Sequence, residues 1–374
     1  MPKSYALTKL QNQSNLLSEP QLYCYDNDTE ICRLFEAVFG KPMGKTESHK
    51  HFQWEYLENP AGRAVIFVAK NDDGQISSAY AVLPIKIKAM TDVVYGSLSF
   101  DTMTHPYYRG QGLFPKQARE TYTYLANNHN VFTYGFPNKN SEMIFIDKLE
   151  WFNICDFPLI IKIINFEPLL LKYLTNKILS RYLGLTFNYI SNLIFSNKIG
   201  HIEDLIIAET KGFDAEFDKF WNLNRSLFQI CVERNSTYLK WRYSRPEENY
   251  IILKMKQNDA MVGYAVLKIE DRFNLRTGFI LDFVVTPDKK YMDALLASIT
   301  DRFRQEAVAL ISALMMRHTP YAPLFGRNGF FRLPPRLHPQ EINFGARINI
   351  DNEKYEGIRN PHNWFITWGD TDLL

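Results

Sequence analysis

A chain of 374 residues with 46% hydrophobic and 14% aromatic content is too long for one ordinary small domain and suits two filled cores. Its net charge of +2 argues against a dedicated nucleic-acid binder, which carries a concentrated basic excess. Cys24, Cys32, Cys155 and Cys231 show neither metal-ligand spacing nor disulfide density, so the reading is no metal and the reduced thiols of a cytoplasmic protein.

Residues 1–17 are polar and carry no signal-peptide core, and no apolar run reaches the roughly 18 residues of a membrane span. Strands are expected at 64–70 and 76–88, joined across Asp72-Asp73-Gly74, and a third at 93–103. A glycine-containing loop leads into a helix at 113–127, followed by a strand at 131–136, a short helix at 141–148 and a closing strand. Residues 157–197 are rich in Leu and Ile at helical spacing and carry Lys162, Lys172, Lys177 and Arg181 against Glu167. Two readings stand for them: a helical linker packed against both domains, or a basic amphipathic segment lying on an anionic membrane.

The same order then recurs, with strands at 250–256, 261–269 and 278–286, a helix at 291–306, a strand at 309–315 and a short helix at 321–327. Markers repeat with it at nearly constant offset. Trp54-Glu55-Tyr56 returns as Trp241-Arg242-Tyr243, Tyr80-Ala81-Val82-Leu83 as Tyr264-Ala265-Val266-Leu267, and Asp101 as Asp282. Two copies of one mixed α/β domain follow, each a mainly antiparallel sheet with flanking helices. The expected boundaries are 1–157 for the first domain, 158–205 for the linker and 206–374 for the second.

The loop between the third strand and the first long helix carries the chemistry. Gly110 and Gly112 free the backbone to turn several N–H groups into one space, and the helix adds its unpaired amides and positive dipole end. Pro115 suits a first turn, and Arg109 adds a permanent cation. On spacing alone a tight connection competes with a phosphate cradle. The run Thr104-His105-Pro106 followed by Arg109-Gly110-Gln111-Gly112 and a helix resembles the coenzyme A pyrophosphate loop of the GCN5-related N-acetyltransferases, the GNAT superfamily. It departs from that family at Tyr107, where Gln or Arg is usual.

The resemblance implies a tandem-GNAT N-acyltransferase taking acetyl-CoA as donor and a primary amine of a small polar molecule, such as an amino sugar, as acceptor. Coenzyme contacts are then expected from Arg109, Gly110, Gln111, Gly112, Leu113 and Phe114, an oxyanion donor from the main chain of Met103 or Thr104, and pantetheine contacts from Asn138 and Ser141. Asn138 or its neighbours serve equally well as a helix cap. The second copy has Asp288-Lys289-Lys290-Tyr291 at this place, without glycine, and is expected to have lost the site.

An ammonium must lose a proton before it attacks, and Asp101 on the third strand is the candidate base. Against it, Asp282 in the copy without a phosphate loop points to a structural carboxylate. His105 is the alternative, at the base or the acceptor. Ile146 stands where the family often has an acidic tyrosine, which leaves Tyr134, with Tyr107 and Tyr108, as candidates. The tail Trp364 to Asp372 is read either as a hydrophobic anchor or as part of the acceptor pocket through Asp370 and Asp372. Two rival functions remain: a Fem-type aminoacyltransferase, and a non-catalytic ligand-binding protein on the membrane surface.

Overall fold

The computed structural model describes residues 17–45, 47–195, 202–272, 274–334, 337–338 and 342–374. The polar stretch 1–17, apart from Leu17, and residues 196–201 of the expected linker lie outside them. The first half opens with β1 (Gln21–Leu22), α1 (Asp28–Phe39) and α2 (Ser48–Phe52), which continues as a π-helical turn (Gln53–Leu57). β2 (Val65–Lys70), β3 (Ile76–Ala89) and β4 (Asp92–Thr104) form an antiparallel meander. α3 (Leu113–Asn127), β5 (Asn130–Gly135), α4 (Lys139–Leu149) and β6 (Phe152–Asp156) follow.

β7 (Leu159–Ile163), α5 (Glu167–Leu170) and α6 (Lys177–Phe195) lead to the second half. That half comprises β8 (Leu205–Thr210), α7 (Ala215–Asn224), β9 (Ile230–Val232) and α8 (Ser236–Arg242), then β10 (Ile251–Gln257), β11 (Ala260–Arg272) and β12 (Leu275–Val285). α9 (Lys289–Gln305), β13 (Leu310–Leu314), α10 (Ala322–Arg327), β14 (Phe331–Arg332) and β15 (Asn343–Ile348) close it. The fold is mixed α/β with two mainly antiparallel sheets.

Helices cover both faces of the first sheet, which is why β3 is buried along most of its length instead of alternating with solvent. Ala79 and Ala81 pack with Ile31 and Leu34 of α1, whereas Tyr80 and Val82 pack with Phe114, Ala118 and Tyr122 of α3. α3 is straightforwardly amphipathic: Phe114, Ala118, Tyr122 and Leu125 fall on one stripe.

The first sheet runs β1-β2-β3-β4-β5-β15-β6, with β9 on the far end of β3, and the second β8-β10-β11-β12-β13-β7-β14. Set side by side, the two orders match strand for strand, with β15 and β7 exchanged. β7, expected within the linker, pairs with β13 of the second sheet from Leu310↔Ile163 to Leu314↔Leu159. β15, expected in the second domain, pairs with β5 of the first from Gly345↔Gly135 to Ile348↔Phe132. The boundaries at 158 and 206 therefore do not divide the sheets. Strand pattern is local, but the choice of partner is not.

The repeated tryptophans explain how the halves meet. Trp54 donates its ring N–H to the Trp241 carbonyl at 2.7 Å, Trp241 donates to the Trp54 carbonyl at 2.8 Å, and the rings stack. Such a reciprocal contact is what a twofold-related pair of copies produces. The shared tetrapeptide, by contrast, does not superpose. Tyr80 bonds Tyr122 of α3, while Tyr264 turns to Phe217 and Phe220 of α7 and bonds Asp282. The letters repeat but face opposite sides of their sheets.

Candidate functional site

The site begins where two parallel strands part. β4 pairs with β5 only from Tyr95↔Asn130 to Ser99↔Gly135, although β4 continues to Thr104. On its other side β4 carries a bulge: Tyr80 faces Thr102 and Ala81 faces Phe100, so Asp101 is the extra residue and the strand bends there. Between the parted strands opens a cleft of about 630 Å³, continuous with solvent. Asp101, Thr104, Arg109, Phe114, Asn138, Ser141 and Asp372 all line it, with Phe145 and Trp151 on one wall and Phe35 and Phe39 of α1 also contributing.

Main-chain direction within β4 distinguishes Met103 from Thr104. The His105 N–H bonds the Ser77 carbonyl on β3 at 2.9 Å, so by the alternation of an antiparallel pair the Thr104 N–H and carbonyl turn away from β3. The Thr104 carbonyl accepts the Arg109 Nε at 3.3 Å, whereas the Met103 carbonyl accepts Ser78 Oγ and its side chain is fully buried. Of the two expected oxyanion donors, the geometry favours Thr104. The second half shows the contrast: there the Tyr321 hydroxyl fills the gap beside β12, donating to the Val285 carbonyl at 2.8 Å and accepting its N–H at 3.1 Å.

At the end of β4 lies the glycine loop. Gly110 and Gly112 have φ of 81° and 72°, and a Cβ on either would meet no atom within 4 Å. The constraint is thus conformational, and the space above the loop is open. No side chain caps α3, so its first amides face outward beside the exposed Arg109. At the matching place α9 is capped by Asp288, whose carboxylate accepts the Lys290 N–H at 2.7 Å. A carboxylate already stands where a phosphate would have to go.

Acidic groups gather at the inner end of the cleft. Asp101 accepts a hydrogen bond from the Tyr56 hydroxyl. Burial and then the Glu55 charge push its carboxyl up to about 8, while Arg245 acts in the opposite direction. Burial and the Glu55 charge likewise push Asp372 up to about 7, although its side chain meets cleft water, which screens it. Burial opposes ionisation of Glu55 too, but His51, 3.1 Å away, and the charges of Arg245 and Arg242 outweigh it and hold that carboxyl low. Arg242 Nε and Nη2 donate to the carbonyls of Gly369 and Thr371, both at 2.7 Å, and Arg245 to that of Leu374 at 2.6 Å. Two arginines of the second half thereby fix the tail against the first.

Three expectations are corrected. Tyr134 is fully buried and donates its hydroxyl to the Asp370 carbonyl at 3.1 Å, so it serves the core and has no access to the cleft. Asp370, 2% exposed, is paired with Arg234 at 2.7 Å instead of meeting an acceptor. His105 accepts the Tyr107 N–H and stacks on Tyr107 outside the cleft lining, as a turn residue does. Asn138 and Ser141 do line the cleft, yet Asn138 Oδ1 also accepts the Ser141 N–H at 3.3 Å at the start of α4, so the capping and lining roles coexist.

Asp282, the sequence echo of Asp101, is 2% exposed and bonded to Arg234 at 3.0 Å; it serves the fold. Asp101 faces the cleft. Glu55, Tyr56, Arg242 and Arg245, which act on Asp101 and Asp372 from outside the cleft lining, were not anticipated. Their signal lay in the Trp-x-Tyr repeat, whose middle position is charged in both copies with opposite sign.

Residues 26–152 match the family described as acetyltransferase (GNAT) domain. No curated protein matches the chain by sequence. Among solved structures, a GCN5-related N-acetyltransferase from Anabaena variabilis superposes with TM-score 0.62 at 12% identity, over 90% of this chain and 73% of that one. A protein of Enterococcus faecalis described as a probable N-acyltransferase gives 0.61 at 13%, over 90% and 74%. The N-myristoyltransferase of Saccharomyces cerevisiae with bound myristoyl-CoA gives 0.53 at 11%, over 89% and 80%. Likeness at such identity is likeness of fold. Residues 26–152 therefore match an acetyltransferase (GNAT) domain, and the chain as a whole shares the fold of these solved structures, with two sheets of matching strand order.

Proposed function

We propose that this protein is an N-acyltransferase that moves an acetyl group from acetyl-CoA to the primary amine of a small polar acceptor, with amino sugars among the candidates. The observation that carries the reading is the parting of β4 from β5 into a cleft that ends at an uncapped helix and two left-handed glycines. The residues present fit the donor. The amides of Gly110 to Phe114 and the Arg109 guanidinium would hold a diphosphate, and the edge of β4 beyond Ser99 offers hydrogen bonds to an extended arm.

Acetyl-CoA supplies an activated acyl group, whose thiol of pKa about 8.5 leaves with little help. The chain's own residues do the rest. Thr104 directs its N–H into the cleft, toward negative charge developing on an acyl oxygen. Asp101, with its carboxyl pushed up to about 8, can take a proton from an ammonium more readily than an ordinary carboxylate. Asp372 and Asp101 together favour a cationic acceptor, and aromatic walls exclude part of the water. Tyr56, whose hydroxyl bonds Asp101, stands next to the cleft, and a thiolate can leave without a proton donor.

The test is calorimetric titration with coenzyme A, followed by an amine-library screen that reads free thiol from acetyl-CoA. Saturable coenzyme binding with amine-dependent thiol release is expected. Binding lost in the wild type, or retained in full by Gly112→Asp, would put the nucleotide elsewhere.

A further inference from the structure

α6 is inside out. Its inward side carries small and polar residues: Ser180 and Gly184 are buried, and Asn188 accepts the Phe166 N–H at 2.9 Å. Gly184 is required by the approach of α5, since a Cβ there would lie 2.9 Å from the Glu167 Cα. The outward side is large and apolar. Ile178, Tyr182, Leu185, Tyr189 and Leu193 are 71%, 69%, 55%, 67% and 65% exposed, and they fall on one helical stripe. Ordinary surface helices have the reverse polarity, and a contiguous exposed apolar face of this kind marks a docking surface.

The occupant follows from charge and residue type. Lys177 and Arg181 are exposed on the same helix, and no Asp or Glu occurs from Pro168 to Phe195. A twofold contact between two copies through this face would set those cations against their own images or against the far end of the partner helix, and neither carries a carboxylate to pair them. Tyrosines beside leucine and isoleucine, flanked by cations, suit the boundary between lipid headgroups and acyl chains. No helix among the described residues is long and apolar enough to cross a membrane. We propose that α6 lies flat on an anionic lipid surface, with its Tyr182–Leu185–Tyr189 stripe in the headgroup layer. This holds independently of the reaction proposed above.

Sedimentation of the full chain with phosphatidylcholine vesicles, with and without phosphatidylserine, tests it. Partitioning into the anionic vesicles is expected to exceed that into neutral ones by at least about tenfold and to weaken with added salt. Leu185→Asp with Tyr189→Asp should abolish it, and Lys177→Glu with Arg181→Glu should lower it by about tenfold or more. These side chains are exposed, so an unchanged circular dichroism spectrum and coenzyme A affinity should accompany the loss. The proposal is overturned if anionic vesicles do not bind the wild type, if both variants bind as the wild type does, or if the protein is a dimer that Leu185→Asp turns into monomer.

Discussion

Asp101 and Asp282 occupy matching strands and show how surroundings decide what a carboxylate does. One is neutralised by a buried arginine; the other faces a cleft, with Glu55 nearby. For Asp101, a folded value of about 8 against the ordinary 3.8 means that the folded state binds the extra proton between those limits. Its favourable share of stability is therefore complete below about pH 4 and is lost as pH rises through about 8. Asp101→Asn should leave the melting temperature unchanged at about pH 4 and raise it at about pH 9, as scanning calorimetry would show. In kinetics the same variant should lose the rise in kcat/KM centred near pH 8, with the largest deficit above that pH and little change in coenzyme affinity. A parallel fall at all pH values would remove Asp101 from proton transfer. Gly112→Asp, which adds an anion and a strained φ to the loop, should weaken coenzyme A by at least about 100-fold in titration, with the fold intact by circular dichroism. Arg234→Ala should cost about 3–5 kcal/mol in urea unfolding, because Asp282 and Asp370 are left buried without their partner.

Among elements, the two copies differ chiefly in what fills the gap between their parallel strands. Tyr321→Phe removes the group that bonds both the N–H and the carbonyl of Val285. It should lower stability by about 1–3 kcal/mol in urea while leaving coenzyme affinity unchanged. The reading of elements from sequence was close wherever the determinants are local. The helix after the loop has the bounds expected, 113–127, because a glycine precedes it and an apolar stripe runs its length. α1, α7 and α8 were not anticipated, and the exchanged strands could not be: β7 and β15 are short segments of five and six residues whose letters do not say which sheet they join. At the site, the left-handed turn at Gly110 and Gly112 before an uncapped helix was legible because those residue types fix the local backbone. Asp370 was misplaced because its partner Arg234 stands 136 residues away. Tyr134 was misplaced because a strand of buried residues gives no sign of where a hydroxyl points.

For the whole molecule, the exchange of β7 and β15 makes the halves one folding problem. A protease site engineered between α6 and β8, once cut, should yield two fragments that stay together through gel filtration, since each holds a strand inside the other's sheet. Separation of the fragments in buffer without denaturant would show that the shared strands contribute little. A ribosome making this chain meets the same constraint in time. The open flank of β5 emerges long before the residues that close it, and at about 5–20 residues per second the wait is about 10–40 s. During that interval the bare edge can recruit any passing strand, its own late-arriving partner on a neighbouring nascent chain included. Slow synthesis, crowded polysomes or early release should therefore yield interlocked pairs of this protein more readily than fully separate misfolded copies.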